Sequence, residues 1–271
     1  MNFGEIFGKS WKEYWENFGS FFKFMLIFLA LPTLILAIIS IVYITSNPEV
    51  WAILGNPQIA AQLSSFDLFN TLSGYFILSS IFTLVSILLT IYILKGIITV
   101  SLKKDKYTSS ELTHAAKNNF WAFLGFEIVS LIFVILLLIL FIIPGIIFAI
   151  FWIFGAFIFV SQNKGIIGSL KISFHMVKGR WWKTFGYFIL VMLVGAGVSI
   201  VVSLLELPFS IMNILYATTN GYMSKSLFIL SSLMNWLTDF IASLFIVPFF
   251  LIFFKNYYLS LLHKNKGKKN K

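Results

Sequence analysis

The sequence predicts an all-α fold: a polytopic integral membrane bundle of about six transmembrane helices, with amphipathic interfacial helices between them and both termini on the inner side. Two observations carry that prediction. The chain is 59% hydrophobic and only 11% charged over 271 residues, against ~25% charged in a soluble domain. Apolar runs of about twenty residues recur, each long enough to cross a ~30 Å hydrocarbon core as a helix. In lipid every backbone amide needs an internal partner, so such runs are helical, and they lack the alternation of a transmembrane strand.

The N-terminal segment, 2–20, reads as an amphipathic helix. Phe3, Ile6, Phe7, Trp11, Tyr14, Trp15 and Phe18 fall on one face, with Glu5, Lys9, Lys12, Glu13 and Glu16 on the other. Its aromatic load suits the headgroup level. The first span follows from about Phe21 to Ile44, with Pro32 expected to kink it. The apolar stretch is too long for a cleavable signal and lacks a small-residue cleavage site. The loop 45–73 carries no lysine or arginine, and Asn47-Pro48 and Asn56-Pro57 each read as an N-cap followed by proline in the first turn. Two short helices are expected there.

The second span runs from about Gly74 to Val100. Ser79, Thr83, Ser86 and Thr90 share one of its faces. Small hydroxyl residues on a membrane helix mark close packing, and a pore lining is the alternative. Residues 101–119 are basic, and Thr108-Ser109-Ser110-Glu111 is a capping-box pattern. From Phe120 to Val160 the chain is almost wholly apolar, too long for one span, and Pro144-Gly145 is expected to divide it by a tight outer turn. The fourth span, Gly145 to Val160, is then short, roughly 24 Å at 1.5 Å per residue.

A basic amphipathic segment over 163–183 comes next. Ile167, Leu170, Phe174, Val177 and Trp181 form its apolar stripe, flanked by Lys164, Lys171 and Lys178 at heptad spacing. Lysine stems lie along apolar surface while the ammonium reaches phosphate. Gly179 reads as a flexible joint, and Trp181-Trp182 as the interface where the chain turns into the fifth span, about 182–205. On that span Gly195, Ser199 and Ser203 recur every fourth residue as a second packing face. The last span lies within 227–262, kinked by Pro248, and the basic tail 263–271 is expected to be disordered and cytoplasmic.

Basic residues fix the orientation. The N-terminus, 101–119, 161–183 and the tail hold nearly all of them, while 45–73, 144–145 and 206–226 hold only Lys225. By the positive-inside rule the chain crosses a cell membrane with both termini cytoplasmic. The net charge of +10 therefore points to orientation and anionic lipid rather than to nucleic acid. The membrane domain is expected over 1–262. It is read as three units of surface helix, outgoing span and return span, at about 2–100, 108–162 and 163–262. The alignment of Asn17-Phe18, Asn119-Phe120 and Arg180-Trp181 suggests the repeat.

One set of residues has a familiar order: Pro144-Gly145-Ile146, Gly165, Ser173, then Lys178-Gly179-Arg180-Trp181-Trp182. Over roughly 140–203 the chain resembles the membrane-domain family attached to some bacterial glycerophosphoryl diester phosphodiesterases, together with related uncharacterised polytopic membrane proteins. Lys164 departs from it, in a region where that family often carries an acidic residue. The resemblance implies a membrane module without the catalytic barrel of the fused enzymes.

Chemistry is sparse. No cysteine is present, which excludes disulfides and thiolate nucleophiles. His114, His175 and His263 sit in separate segments without metal-ligand spacing, and no phosphate loop or nucleophile elbow occurs. No enzyme activity, cofactor or metal is expected. Glu127, within the third span, is expected to face the bundle with Lys95 as its partner, Lys23 and Lys255 being alternatives. Two readings of function result. The first is a non-enzymatic protein that binds lipid, or scaffolds partners, through cytoplasmic-face amphipathic helices. The second is a small-solute or ion transporter using the polar face of span two and Glu127. An intramembrane enzyme is the weakest reading. Protein partners and oligomeric state leave no trace in the sequence.

Overall fold

The computed structural model describes residues 2–269, without the side chains of Pro57 and 263–269. The tail expected to be disordered is helical in its backbone over 263–269, and 270–271 lie outside the described residues. Among the described residues the fold is all-α with no strand. Six helical stretches are long and apolar enough to cross a membrane: Phe18–Ser46, Ser65–Ser101, Phe120–Leu140, Ile142–Gln162, Trp181–Ser203 and Lys225–Leu262. The chain is a multi-pass membrane protein.

The chain forms two compact units. One holds the chain up to Met25, Thr90–Ala196 and everything from Leu244 on; the other holds Leu26–Leu89 and Gly197–Ser243.

In the first unit, α1 (Phe3–Glu16) starts from a capping box in which Asn2 and Glu5 serve each other's backbone amides. Its buried residues are Ile6, Ser10, Glu13 and Tyr14. Glu13 was expected on the solvated face, and the structure places it in the core instead. The aromatic face lies along the last helix, α14 (Lys225–Lys269): Phe7 and Trp11 pack edge-on against Phe249, and Tyr14 against Phe245. Asn17 ends α1 and α2 (Phe18–Met25) follows at once.

Helix α7 (Ser109–Lys117) begins at the expected capping box of Thr108 and Glu111. A hydrogen bond from Lys104, with those from Thr108, holds the Glu111 carboxyl down to about 2. A depressed acid stabilises the fold fully above its ordinary value and loses that contribution only as pH falls through the lowered one, so the cap survives mild acid. Asn119, with φ 53°, turns the chain into α8 (Phe120–Leu140).

The turn between the third and fourth spans lies at Phe141, not at Pro144-Gly145. Phe141 is extended (φ −153°, ψ 110°), and α9 (Ile142–Phe151) already contains both residues. Proline is tolerated there because the first-turn N–H groups have no helical acceptor. Gly145 instead permits close packing: a Cβ on it would lie 2.6 Å from Cγ and Cδ2 of Leu138 and 2.8 Å from the Leu138 backbone nitrogen. The fourth span is broken at Trp152–Phe154 and resumes as α10 (Gly155–Gln162). It is followed by α11 (Gly165–Val177) and α12 (Trp181–Ser203), joined through Gly179 at φ +81°.

In the second unit, a π-helical turn at Leu26–Ala30 precedes α3 (Leu31–Ser46), so Pro32 falls in a first turn. The two short helices are present: α4 (Pro48–Gly55), capped by Asn47 on the Val50 amide at 3.2 Å, and α5 (Pro57–Gln62), capped by Asn56 on the Gln58 amide at 3.0 Å. Helix α6 (Ser65–Ser101) starts well before Gly74, so the expected loop 45–73 is largely helical. Helix α13 (Leu207–Asn220) fills the connection before the last span and ends on Gly221 at φ +76°.

Gly145→Ala is expected to lower stability by about 1–3 kcal/mol, because the new methyl overpacks against Leu138 backbone. Thermal unfolding of the detergent-solubilised protein measures it, and an unchanged midpoint would contradict the close approach.

Candidate functional site

Three clusters of polar side chains lie among the spans. The first is the stretch that carries the family resemblance. Ser173 is fully buried, and its hydroxyl donates to the Phe151 carbonyl at 2.7 Å while accepting from the Phe154 amide at 3.2 Å. It therefore satisfies both sides of the break in the fourth span. The Trp181 indole donates to the Ile147 carbonyl at 3.1 Å, in the same broken span. Trp181 thus docks its ring edge on the first half of that span, whereas Trp182 is 78% exposed. Leu170 and Val177 of the predicted apolar stripe are buried against the protein, and Ile167 is exposed. Lys164, Lys171 and Lys178 are exposed, while Arg180 is half-buried.

An open cleft of about 440 Å³ lies beside this segment, lined by Gln162, Lys171, Ile172, His175, Met176 and Leu262. Gln162 donates to the Tyr258 hydroxyl at 3.1 Å, and the His175 ring meets the Lys171 carbonyl at 2.8 Å. The cleft combines one ammonium with apolar walls.

The second cluster is a buried ionic network centred on Lys255 and Glu13. The Lys255 ammonium, with no exposure, donates to both Glu13 oxygens at 2.7 Å. Asn256 donates to Glu13 Oε2 and to the Ser10 hydroxyl, each at 3.1 Å. Asn17 donates to the Glu13 and Asp105 carbonyls at 2.8 Å and accepts from the Tyr107 amide at 2.9 Å. Asp105 lies 3.8 Å from Lys255. Burial pushes the Glu13 carboxyl up, and Lys255 pulls it back. The Tyr107 phenol, buried beside two acids, is pushed up as well.

The expected Lys95–Glu127 pair does not form. Lys95 is buried and donates to Thr99 Oγ1 at 2.9 Å and to the Ala115 carbonyl at 3.5 Å, with its ammonium 5.8 Å from the centre of the Phe123 ring. Among the described residues no ion pair joins it to Glu127. Lys255, an alternative partner for Glu127, is taken by Glu13. The network was missed because Glu13 reads as one more acid on a polar face. The signals were there: Lys255-Asn256 interrupts an apolar run, and Ser10, Glu13 and Asn17 share one helical face.

The third cluster lies in the second unit. An open cleft of about 410 Å³ is lined by Tyr75, Ser79, Thr83, Asn235, Trp236 and Asp239, together with Ser40, Phe82 and Phe228. Part of the hydroxyl stripe on α6 therefore faces this cleft. Ser79 and Thr83 also hydrogen-bond their own helix carbonyls, at 3.0 and 2.9 Å. On α12, a Cβ added at Gly195 would lie 3.6 Å from Ile246 Cγ2, in ordinary contact, and Ser199 and Ser203 are exposed, so no close approach of a neighbouring helix calls for small residues on this face.

These features define a polytopic helical membrane protein with a buried Lys255–Glu13 ion pair. No protein-family model, curated protein or solved structure matches the chain.

Lys255→Met should cost about 3–5 kcal/mol by stranding Glu13 in the core. The double variant Glu13→Gln with Lys255→Met should recover at least half of that. Unfolding in mixed micelles checks both, and equal losses in the single and double variants would show that the two residues act independently.

Proposed function

We propose that the protein is a non-enzymatic membrane protein that binds anionic phospholipid at its cytoplasmic face, with both termini cytoplasmic and the cell membrane as its site. The cleft beside Lys171 carries this reading. It offers the Lys171 ammonium for a phosphate, and Ile172, Met176 and Leu262 for the acyl chains. Lys164 and Lys178, exposed on the same segment, add about 1 kcal/mol each of attraction to an anionic surface. The charge distribution agrees: residues of the first unit carry nineteen of the twenty basic side chains. The resemblance to the membrane domain of glycerophosphoryl diester phosphodiesterases fits a module that serves lipid without performing chemistry on it.

A second reading, the handling of a small solute, is favoured by the cleft lined by Ser79, Thr83 and Asp239.

The chain has no cysteine, so single cysteines report topology directly. Lys171→Cys should react with an impermeant maleimide only after the cells are opened, and Gln62→Cys in intact cells; the reverse pattern would overturn the orientation. For lipid, anionic species should be enriched in the purified protein. That enrichment should fall about threefold or more when Lys164, Lys171 and Lys178 are all changed to Gln. A lipid composition equal to that of the whole membrane, with or without the lysines, would remove the proposal.

A further inference from the structure

The second unit differs in charge from the rest of the chain. Leu26–Leu89 and Gly197–Ser243 contain four acids, Glu49, Asp67, Glu206 and Asp239, and one basic residue, Lys225, in a chain whose net charge is +10. Lys225 is already engaged. Its ammonium donates to the Thr45 carbonyl at 2.8 Å and lies 5.6 Å from the centre of the Trp51 ring. The cleft beside Trp236 has one carboxylate, that of Asp239, and no basic side chain in its lining.

Three hydroxyls of the lining share that polarity, while Tyr75, Ser232 and Asn235 add hydrogen-bond donors. The hydroxyls of Ser40, Ser79 and Thr83 each donate to a carbonyl of their own helix, at 3.0, 3.0 and 2.9 Å. A hydroxyl whose proton is committed to its helix has only lone pairs left for a ligand. Four aromatic rings, Tyr75, Phe82, Phe228 and Trp236, complete the wall, and a ring face is the negative end of its quadrupole. The Trp236 ring is held in place by its indole hydrogen bond to Thr33 Oγ1 at 3.0 Å and by stacking on Phe240 at an interplanar angle of 5°.

We infer that this cleft binds a small organic ammonium cation carrying apolar substituents. The carboxylate and the hydroxyl lone pairs meet the charge, and the rings meet both the charge and the hydrocarbon. The volume of about 410 Å³ lies within the ~300–1,000 Å³ of small-ligand sites. An anion would face Asp239 uncompensated, and a bare inorganic cation would leave the four rings without a role. The inference rests on the second reading above and gives it a ligand class.

The test is equilibrium binding of radiolabelled benzyltrimethylammonium to the purified full-length protein in micelles. Competition by neopentylbenzene, its uncharged isostere, and by phenylmethanesulfonate, an anion of similar build, sets the charge preference. Saturable binding is expected, with the uncharged isostere competing at least about tenfold more weakly and the anion not at all. Asp239→Asn should weaken binding about tenfold or more, Asp239→Glu much less, and Trp236→Leu about threefold or more. Melting curves establish that each variant is folded. Should the Asp239 variants unfold, the competition series on the unaltered protein decides. Equal affinity for the uncharged isostere, or full binding by a folded Asp239→Asn, overturns the cation assignment and leaves a cleft for apolar solutes. Saturable binding by none of the three probes overturns the solute reading as well.

Discussion

The ion pair between Lys255 and Glu13 sets the constraint that the first unit is built to satisfy. A lysine buried within an apolar span cannot be left unpaired, and the effective penalty for an unpaired buried ion is several kcal/mol. The partner comes from α1, a short helix near the other end of the sequence. That single need explains several choices at once. Asn256 and Ser10 fill out the shell around the carboxylate, and Asn17 ties α1 to the loop that carries Asp105 and Tyr107. The aromatic face of α1 lies along α14 because the pair holds it there.

The same demand applies to the backbone. Pro248 has no amide to give the carbonyl of Leu244, and the Tyr14 hydroxyl donates to that carbonyl at 3.4 Å. Ser173 does comparable work for the broken fourth span. In both cases a side chain of a short helix serves a backbone group that a spanning helix leaves unpaired, as a bilayer requires. The helix runs on through Pro248. Tyr14, which reads as a membrane anchor in the sequence, thus serves a neighbouring helix. Lys164, Lys171, Lys178 and Trp182 stay exposed.

Much of the fold was legible, because the signals behind it are local. Span positions follow from hydropathy, and the starts of α4, α5 and α7 from caps that act within three residues. The turn at Phe141 was misplaced by three residues, since proline is as content inside a first turn as before it. What the sequence hides is rotation about each helix axis. Ser79 and Thr83 could face a neighbour or a cleft, and Glu127 could find Lys95 or not, depending on an angle that a nearly uniform apolar run does not encode. The ionic network and both clefts depend on such angles. Ser173 is visible in the sequence as one more serine, and the break it mends appears only in the structure.

The distance in sequence between Lys255 and Glu13, 242 residues, also has a consequence in time. At a synthesis rate of roughly 5–20 residues per second, the acid waits about ten to fifty seconds for its partner. Throughout that interval α1 can rest only at a wet surface, because its carboxylate has nothing to neutralise it in a dry one. The amphipathic character that the sequence displays there therefore suits the unfinished chain. In the finished protein the same helix packs along the last span, with its carboxylate on Lys255.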